Sequence, residues 1–279
     1  MKNVKAEKGW RVFLGSFIIL IISYSIYFIR YPMWQFFTSV ESIFLILILS
    51  YFAVLIVALF LLKRDSKKSL SNVFKCSSYS MVLVGVIFAV IYLGLWYLIS
   101  FLLVSKFEFT SSTILRDYGI YAFYSLPLAS ALYLVFSVFG AFVEEVAYRG
   151  YVQTRISSKY GYVVGIIAST LFFSFQHIHI FQTSWIIQFF QTQFFHVILF
   201  GIFSGYLFFK TEENIWSVFS KHALLNALSF VPIVVIPAFP FAYYIAEVTS
   251  FTVMILLLHF LPLWNKDHQT HQKASRLIS

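Results

Sequence analysis

Apolar residues lie along this chain in long, nearly continuous runs. Eight runs of about 20 residues are long enough to cross the hydrocarbon core of a bilayer as helices. The strands of a membrane barrel would instead show short segments of alternating hydrophobicity. The pattern therefore predicts an all-α, polytopic membrane protein with about eight transmembrane helices. The predicted spans are residues 12–29, 42–62, 79–104, 121–145, 161–181, 194–209, 215–231 and 243–263.

Composition places the chain in the same class. Hydrophobic residues make up 60% of the sequence, aromatic residues 21% and charged residues only 11%, which is more apolar side chain than a soluble domain buries. The single cysteine, Cys76, rules out a disulfide framework and argues against a zinc site built on thiolates.

The net charge of +9 comes mostly from basic residues in the short segments between predicted helices. These residues precede the first span, fill the segment 63–75, follow the fourth span and recur in the C-terminal tail. Basic clusters of this kind mark cytoplasmic segments, so the charge indicates topology and not affinity for nucleic acid. Eight spans then place both termini in the cytoplasm.

The predicted helices divide the chain into three parts. Residues 1–120 are interpreted as transmembrane scaffold helices, 121–231 as the catalytic core, and 232–279 as the final helix and a cytoplasmic tail. All candidate chemical groups fall in the core, which argues against a proton-coupled transporter, since such carriers usually have paired broken helices in both halves. The uncharged stretch 182–193 is predicted to be an interfacial or re-entrant helix.

Two adjacent glutamates and an arginine stand at the end of the fourth run. A carboxylate near the bilayer centre costs roughly 2.5 to 3.5 kcal/mol even on gentle scales, so Glu144 and Glu145 need a partner, a proton or a chemical role. Neighbours on a helix point about 100° apart. Arg149 lies four residues after Glu145, the spacing of a helical ion pair, which leaves Glu144 to face a pocket. The alternative is an ordinary charged helix end.

Three further polar residues lie on later apolar runs. His177 closes one run, while His222 and Asn226 are four residues apart and share a helix face. Two N–H donors at that spacing suit an oxyanion hole, and a neutral histidine in an apolar pocket can donate without carrying charge. The alternative for His177 is an interfacial residue at a helix end.

These residues form three short motifs in order, each within or at the edge of an apolar run. The motifs are E-E-x-x-x-R at 144–149, F-x-x-x-H at 173–177 and H-x-x-x-N at 222–226. The segment that carries them, 121–231, resembles the CPBP family of CAAX proteases and bacteriocin-processing enzymes, also called the Abi family. The resemblance implies an all-helical intramembrane endopeptidase with a CAAX-protease-like core.

The resemblance also implies roles for the residues. Glu144 would be the general base, His177 would position the attacking water, and His222 with Asn226 would form the oxyanion hole. Glu145 and Arg149 would orient these side chains and would not contact the substrate themselves. The family is often labelled a metalloprotease, but the chain has no H-E-x-x-H motif. We expect chemistry without a metal; the zinc alternative would use Glu144, His177 and His222.

The resemblance leaves the substrate open. Candidates are prenylated CAAX proteins, leader-bearing bacteriocin or pheromone peptides, and other membrane-associated peptides or proteins. Abundant Phe, Ile and Lys with short loops favour a bacterial member in the plasma membrane. An idle family member that acts in bacteriocin immunity or regulation is a second hypothesis, and the transporter is a third.

One geometric question arises from the predicted spans. If the fifth helix starts near Gly161 at the cytoplasmic surface, His177 lies about 24 Å along it at 1.5 Å per residue. Glu144, near the cytoplasmic end of a fourth helix that stops at residue 145, would then lie at a different depth. Either the fourth helix continues past Arg149, or the fifth begins well inside the cytoplasm.

The basic clusters give a topological prediction. In a chain whose Cys76 is replaced by Ser, single cysteines at Ser66 and Ser275 should react with membrane-impermeant thiol reagents only after the cells are opened, because both positions lie in predicted cytoplasmic segments. Labelling of either position from outside intact cells would contradict this orientation.

Overall fold

The helices match the apolar runs. The computed structural model describes residues 9–36, 40–65, 73–74, 79–109, 127–178, 186–187, 189–228, 233–237 and 242–261. Within them the α-helices are α1 (Gly9–Phe36), α2 (Val40–Asp65), α3 (Tyr79–Leu103), α4 (Pro127–Glu145), α5 (Thr154–Tyr160), α6 (Tyr162–Gln176), α7 (Phe194–Lys210), α8 (Ile215–Leu228) and α9 (Ala242–Phe260). The predicted helical membrane fold is confirmed.

Two kinds of element depart from plain α-helix. Val146–Gln153 and Phe189–Gln193 are π-helical. Strands β1 (Val104–Phe109) and β2 (Ile233–Pro237) pair antiparallel and form the sheet in the described part of the chain. The basic segment 66–72, the C-terminal tail from 262 and residues 182–185 and 188 of the predicted interfacial stretch 182–193 lie outside the described residues.

The predicted fourth span, 121–145, stops short of the helix, and of the two alternatives the structure has the one in which this helix continues past Arg149. α4, the π-helical segment Val146–Gln153 and α5 follow one another without a break to Tyr160. The π-helical segment is buried throughout. At its end the Thr154 hydroxyl donates to the Arg149 carbonyl five residues back, at 3.1 Å. Arg149 and its neighbours are buried inside the protein, so their charges do not mark the end of the helix.

By length and composition, three helical stretches of the described chain can cross a membrane, namely 44–65, 79–103 and 131–160. Four shorter apolar helices accompany them, at 12–25, 162–176, 194–210 and 244–260. Such apolar surface is stable only in lipid. The chain is an integral membrane protein.

A tight reversal joins α5 to α6. Gly161, between them, has a φ of +88°, a conformation that residues with a Cβ rarely adopt. α6 packs antiparallel to the continuous helix formed by α4, the π-helical segment and α5. Glu145 lies 16 residues before Gly161 and His177 lies 16 residues after it, so the two residues are at similar depth. Because the fourth helix continues to Tyr160, Glu144 and His177 lie at similar depths in the helical bundle.

The helix that carries His222 and Asn226 lies between α3 and α4, and packs on both. The approach of α3 to α8 is close at Gly85, where an added Cβ would lie 2.1 Å from both the Ser217 carbonyl oxygen and the Ser220 hydroxyl. In addition, the Ser220 hydroxyl donates to the Val82 carbonyl at 2.9 Å. α8 is therefore held in the middle of the bundle.

This close approach predicts the effect of one methyl group. Gly85→Ala should lower stability by about 1–3 kcal/mol, because the methyl group collides with the backbone of α8. Gly94→Ala on the same helix is the matched control. Nothing lies within 4 Å of a Cβ at Gly94, so this change should be neutral or slightly stabilising. Melting curves of the detergent-solubilised variants test the pair; equal melting temperatures would contradict the packing.

Candidate active site

The two glutamates at the end of α4 have different surroundings. Glu145 is fully buried and uses both carboxylate oxygens. Its Oε2 lies 3.3 Å from Arg149 Nε, an ion pair between side chains that are both 0% exposed. Its Oε1 lies 2.8 Å from His222 Nδ1. The predicted ion pair with Arg149 is present, and Glu145 also orients a histidine from α8.

Glu144 faces other groups. Its Oε1 accepts hydrogen bonds from the Tyr51 hydroxyl at 2.7 Å and from Gln176 Nε2 at 2.8 Å. Its Oε2 lies 3.7 Å from His222 Nε2 and makes no hydrogen bond within the described chain. One oxygen is thus fixed by two donors, while the other faces the imidazole across a gap longer than a hydrogen bond.

His222 lies between the two carboxylates. Because Glu145 is paired with Arg149 and ionised, its contact with His222 requires a proton on Nδ1. A neutral ring with its proton there has a bare lone pair at Nε2, and only the doubly protonated ring donates from Nε2. The expectation that a neutral His222 donates to an oxyanion is therefore inconsistent with this geometry.

His177 lies at the end of α6, one residue beyond Gln176. Its Nδ1 donates to the Phe173 carbonyl at 2.8 Å, which leaves Nε2 as an acceptor with no hydrogen bond among the described residues. Its ring packs on Phe173, with centroids 4.6 Å apart. The α6 side chain that hydrogen-bonds Glu144 is the neighbouring Gln176, so the structure brings His177 near the site through Phe173.

Asn226 lies one turn beyond His222 on α8. Its Nδ2 is 3.4 Å from the carbonyl oxygen of Ser137, a residue two turns before Glu144 on α4. The structure thus brings Glu144, Glu145, Arg149 and His222 into direct contact and places Asn226 at the edge of this group.

Two residues that sequence reasoning missed hold Glu144. Tyr51 comes from α2, in the part interpreted as scaffold, and nothing distinguishes it among the 18 tyrosines of the chain. Gln176 had a signal, because it is an amide in an apolar run directly before a candidate histidine. The Tyr148 hydroxyl donates to Gln176 Oε1 at 2.6 Å, which turns the Gln176 amide nitrogen toward Glu144.

Aromatic rings cover the cations of the site. Arg149 Cζ lies 4.5 Å from the centroid of the Phe173 ring. The buried Lys221 places Nζ 3.4 Å from the centroid of Phe200 and donates to the Ser204 hydroxyl. Both rings also contact His222, at centroid distances of 6.2 and 4.6 Å. The polar groups are therefore enclosed in an aromatic, water-poor setting where electrostatic interactions are strong.

The zinc alternative required Glu144, His177 and His222 to converge. Among the described residues, no three His, Cys, Asp or Glu side chains are grouped so that they could hold a metal ion. His222 also directs one ring nitrogen to each glutamate. The residues as placed do not fit a zinc centre.

Comparison with known proteins identifies the segment that contains this site. Residues 126–228 match the family described as type II CAAX prenyl endopeptidase, Rce1-like. This segment belongs to the Rce1-like family of CAAX-type proteases. The search of curated proteins and the search of solved structures each found no significant match.

The Rce1-like domain covers less than half of the chain and comprises α4 through α8. Glu144, Glu145, Arg149, His177, His222 and Asn226 all lie within it. Tyr51, which hydrogen-bonds Glu144, lies outside it on α2. The site is therefore built from the Rce1-like domain together with a helix that precedes it.

The buried ion pair predicts a stability defect. Glu145→Gln or Arg149→Met leaves the other charge buried without its partner, which should cost about 3–5 kcal/mol and lower both the yield and the melting temperature. The double change should recover part of the loss, because it removes both charges.

Glu212→Gln is the matched control, since Glu212 is an exposed carboxylate in the turn after α7 and its loss should leave the melt unchanged. Melting curves of the purified variants measure the effect. A Glu145→Gln melt equal to that of the control would contradict the assigned role of the pair.

Proposed function

We propose that this chain is an intramembrane endopeptidase that hydrolyses membrane-associated peptides or proteins with water activated by Glu144. The observation that carries the proposal is the asymmetry of this carboxylate. Two donors hold Oε1, while Oε2 faces His222 Nε2 at 3.7 Å. A water oxygen beside both atoms would lie within hydrogen-bond reach of the carboxylate that must take its proton. The Rce1-like match supports protease chemistry in general.

Glu144 suits the role of base better than Glu145. The oxygens of Glu145 already contact Arg149 and His222, and its side chain is 0% exposed. Glu144 keeps one oxygen open, and Tyr51 and Gln176 limit its rotation. A base held in one orientation needs little reorganisation when the reaction occurs.

The proposed reaction is direct hydrolysis. Glu144 takes a proton from water as the water oxygen attacks the scissile carbonyl carbon. The carbonyl oxygen becomes an oxyanion. When the C–N bond breaks, Glu144 gives the proton to the leaving nitrogen, so that a carboxylic acid and an amine are formed; the acid then passes its remaining proton to the amine or to solvent. His177, whose Nε2 is an acceptor, is proposed to help orient the water.

His222 is proposed to stabilise the oxyanion as an imidazolium. With both glutamates ionised, Arg149 and a protonated His222 bring this four-residue group to neutrality, which lowers the cost of burying it. Nε2–H can then donate to the developing charge, while Glu145 holds Nδ1–H. Asn226, one turn further along α8, is proposed as the second donor.

We propose that the reaction needs no metal, because His222 and His177 direct Nδ1 to Glu145 and to the Phe173 carbonyl, and no set of metal ligands converges among the described residues. The distribution of basic residues supports a cytoplasmic location of both termini. The Phe-, Ile- and Lys-rich composition and the short loops support a bacterial plasma membrane. Prenylated CAAX peptides and leader-bearing peptides are the candidate substrates, and the family match favours trying the prenylated ones first.

The proposal predicts different defects for different residues. Glu144→Gln keeps the shape of the side chain but cannot accept a proton, so turnover should fall at least about a hundredfold while folding persists. Asn226→Ala removes one proposed oxyanion donor and should cost roughly 3 kcal/mol of transition-state stabilisation. Cleavage of a prenylated CAAX peptide and of a leader-type membrane peptide by purified variants measures both effects.

Dialysis against a chelator should leave the activity unchanged, since no metal takes part. His259→Ala is the control, because His259 lies at the exposed end of α9. Full activity of Glu144→Gln would refute the assigned base. A folded wild-type chain that cleaves neither peptide, in cells or in detergent, would favour the idle, immunity-type alternative.

A further inference from the structure

The Tyr148 hydroxyl is a buried polar group that the proposed reaction does not use. Tyr148 follows Glu144 by one turn on the same continuous helix, and its side chain is fully buried. A side chain enclosed in this way does not touch the substrate, so any part it takes in catalysis passes through a neighbour. That neighbour is Gln176, whose Oε1 accepts a hydrogen bond from the Tyr148 hydroxyl at 2.6 Å.

The two hydrogen bonds of the Gln176 amide have fixed directions. An ionised carboxylate only accepts hydrogen bonds, so Glu144 as a base requires the amide nitrogen, which lies 2.8 Å from its Oε1. The amide oxygen is then left to face Tyr148, and an amide oxygen only accepts. Tyr148 therefore donates, and each hydrogen in the chain from Tyr148 through Gln176 points toward Glu144.

Gln176 depends on both partners for its orientation. The last torsion of a glutamine side chain is broad, so its own rotamer does not hold the amide plane in one direction. Among the residues that the structure describes, the side chain makes hydrogen bonds to Tyr148 and Glu144 and to no other group. Without the Tyr148 hydroxyl, a buried carbonyl oxygen would lose its partner and the amide could turn away from Glu144.

The ring and the hydroxyl of Tyr148 have separate contacts. The ring meets Phe173 edge-on, with centroids 5.5 Å apart and an interplanar angle of 77°. Phe173 in turn lies 4.5 Å from Arg149 Cζ. Tyr148→Phe keeps this aromatic packing and removes the hydroxyl that binds Gln176. One variant thus separates the orientation of the amide from the packing of the core.

We propose that Tyr148 positions the catalytic base through Gln176. Its hydroxyl fixes the amide, the amide nitrogen holds Oε1 of Glu144, and Oε2 stays directed toward the water that is to be activated. This role rests on the proposed function and adds two residues of the Rce1-like domain to it. Tyr51 donates to the same carboxylate oxygen from α2, so one donor comes from the domain and one from outside it.

The kinetics of three variants test this positioning role. The full chain with Tyr148→Phe, in nanodiscs, should cleave a membrane peptide with kcat about fivefold lower and KM within about twofold of the wild type, because a neutral hydrogen bond is lost and the substrate is not touched. Gln176→Leu removes the donor to Glu144 itself and should lower kcat further. Adding Tyr148→Phe to Gln176→Leu should cause no additional loss. Additive losses would overturn the inference, because Tyr148 would then not act through Gln176.

Tyr206→Phe is the matched control. It removes a hydroxyl of the same domain that lies 3.0 Å from His259 Nδ1 in an exposed contact, and it should change neither kcat nor KM. Melting curves show whether the compared variants are folded. A folded Tyr148→Phe chain that cleaves at the rate of the Tyr206→Phe chain would also overturn the inference.

A measurement without turnover separates this role from the proposed activity. Isotopically labelled glutamine side chains in the full chain give NH2 signals in NMR spectra, and Gln176→Leu identifies the signal of Gln176. An amide held by both partners should exchange slowly with water. Its signal should respond to Tyr148→Phe and to Glu144→Ala but not to Tyr206→Phe. If Tyr148→Phe does not fold, a fluorotyrosine at position 148, whose more acidic hydroxyl is a stronger donor, takes its place and must shift the Gln176 signal.

The amide signal also distinguishes the two ways in which the account can fail. A wild-type Gln176 amide that exchanges as fast as free glutamine, or one that does not respond to the change at position 148, would overturn the positioning role. Slow exchange with that response, in a chain that cleaves no peptide, would refute the proposed activity and leave the hold of Tyr148 and Gln176 on Glu144 in place.

Discussion

The geometry of the candidate site depends on one buried carboxylate. Glu145 binds Arg149 with one oxygen and His222 with the other, and neither Glu145 nor Arg149 is exposed. This arrangement fixes the proton of His222 on Nδ1 and turns Nε2 toward Glu144. The adjacent positions of the two glutamates are thereby explained, since one orients the histidine and the other faces it.

The apolar surroundings make this arrangement both costly and effective. Charges inside a helical bundle are stable only when they are paired, hydrogen-bonded or covered by aromatic faces, and Arg149 and Lys221 use Phe173 and Phe200 for that purpose. The same low dielectric strengthens each contact of Glu144. Donors from α2 and α6 hold this carboxylate, so helices beyond the three motifs contribute to its orientation.

Hydrophobic patterning predicted the membrane-spanning helices well, because lipid leaves a chain few alternatives to the helix. The predicted fourth span stopped at Glu145, and the continuation of its helix past Arg149 was one of two alternatives that the sequence left open. Charged residues usually mark a membrane surface, whereas Glu145 and Arg149 neutralise each other within the protein and the helix continues to Tyr160. The spacing of Glu145 and Arg149 correctly indicated their ion pair.

Other parts of the site had no sequence signal that could be recognised. Tyr51 is a tyrosine among many, and its contact with Glu144 depends on how α2 packs against α4. Tyr148 reaches Gln176 only because α6 packs against the π-helical segment. The protonation of His222 likewise depends on which nitrogen faces which carboxylate, and spacing along one helix does not specify that.

The proposed function of this chain is the hydrolysis of peptide bonds at the membrane through Glu144. The most direct test is quantitative mass spectrometry of peptide termini in membranes from cells that contain either the wild-type chain or an equally expressed Glu144→Gln chain. If Glu144 is the base, a defined set of new C-termini, with their partner fragments, is expected in the wild-type membranes alone. Identical sets of termini in the two membranes would contradict it.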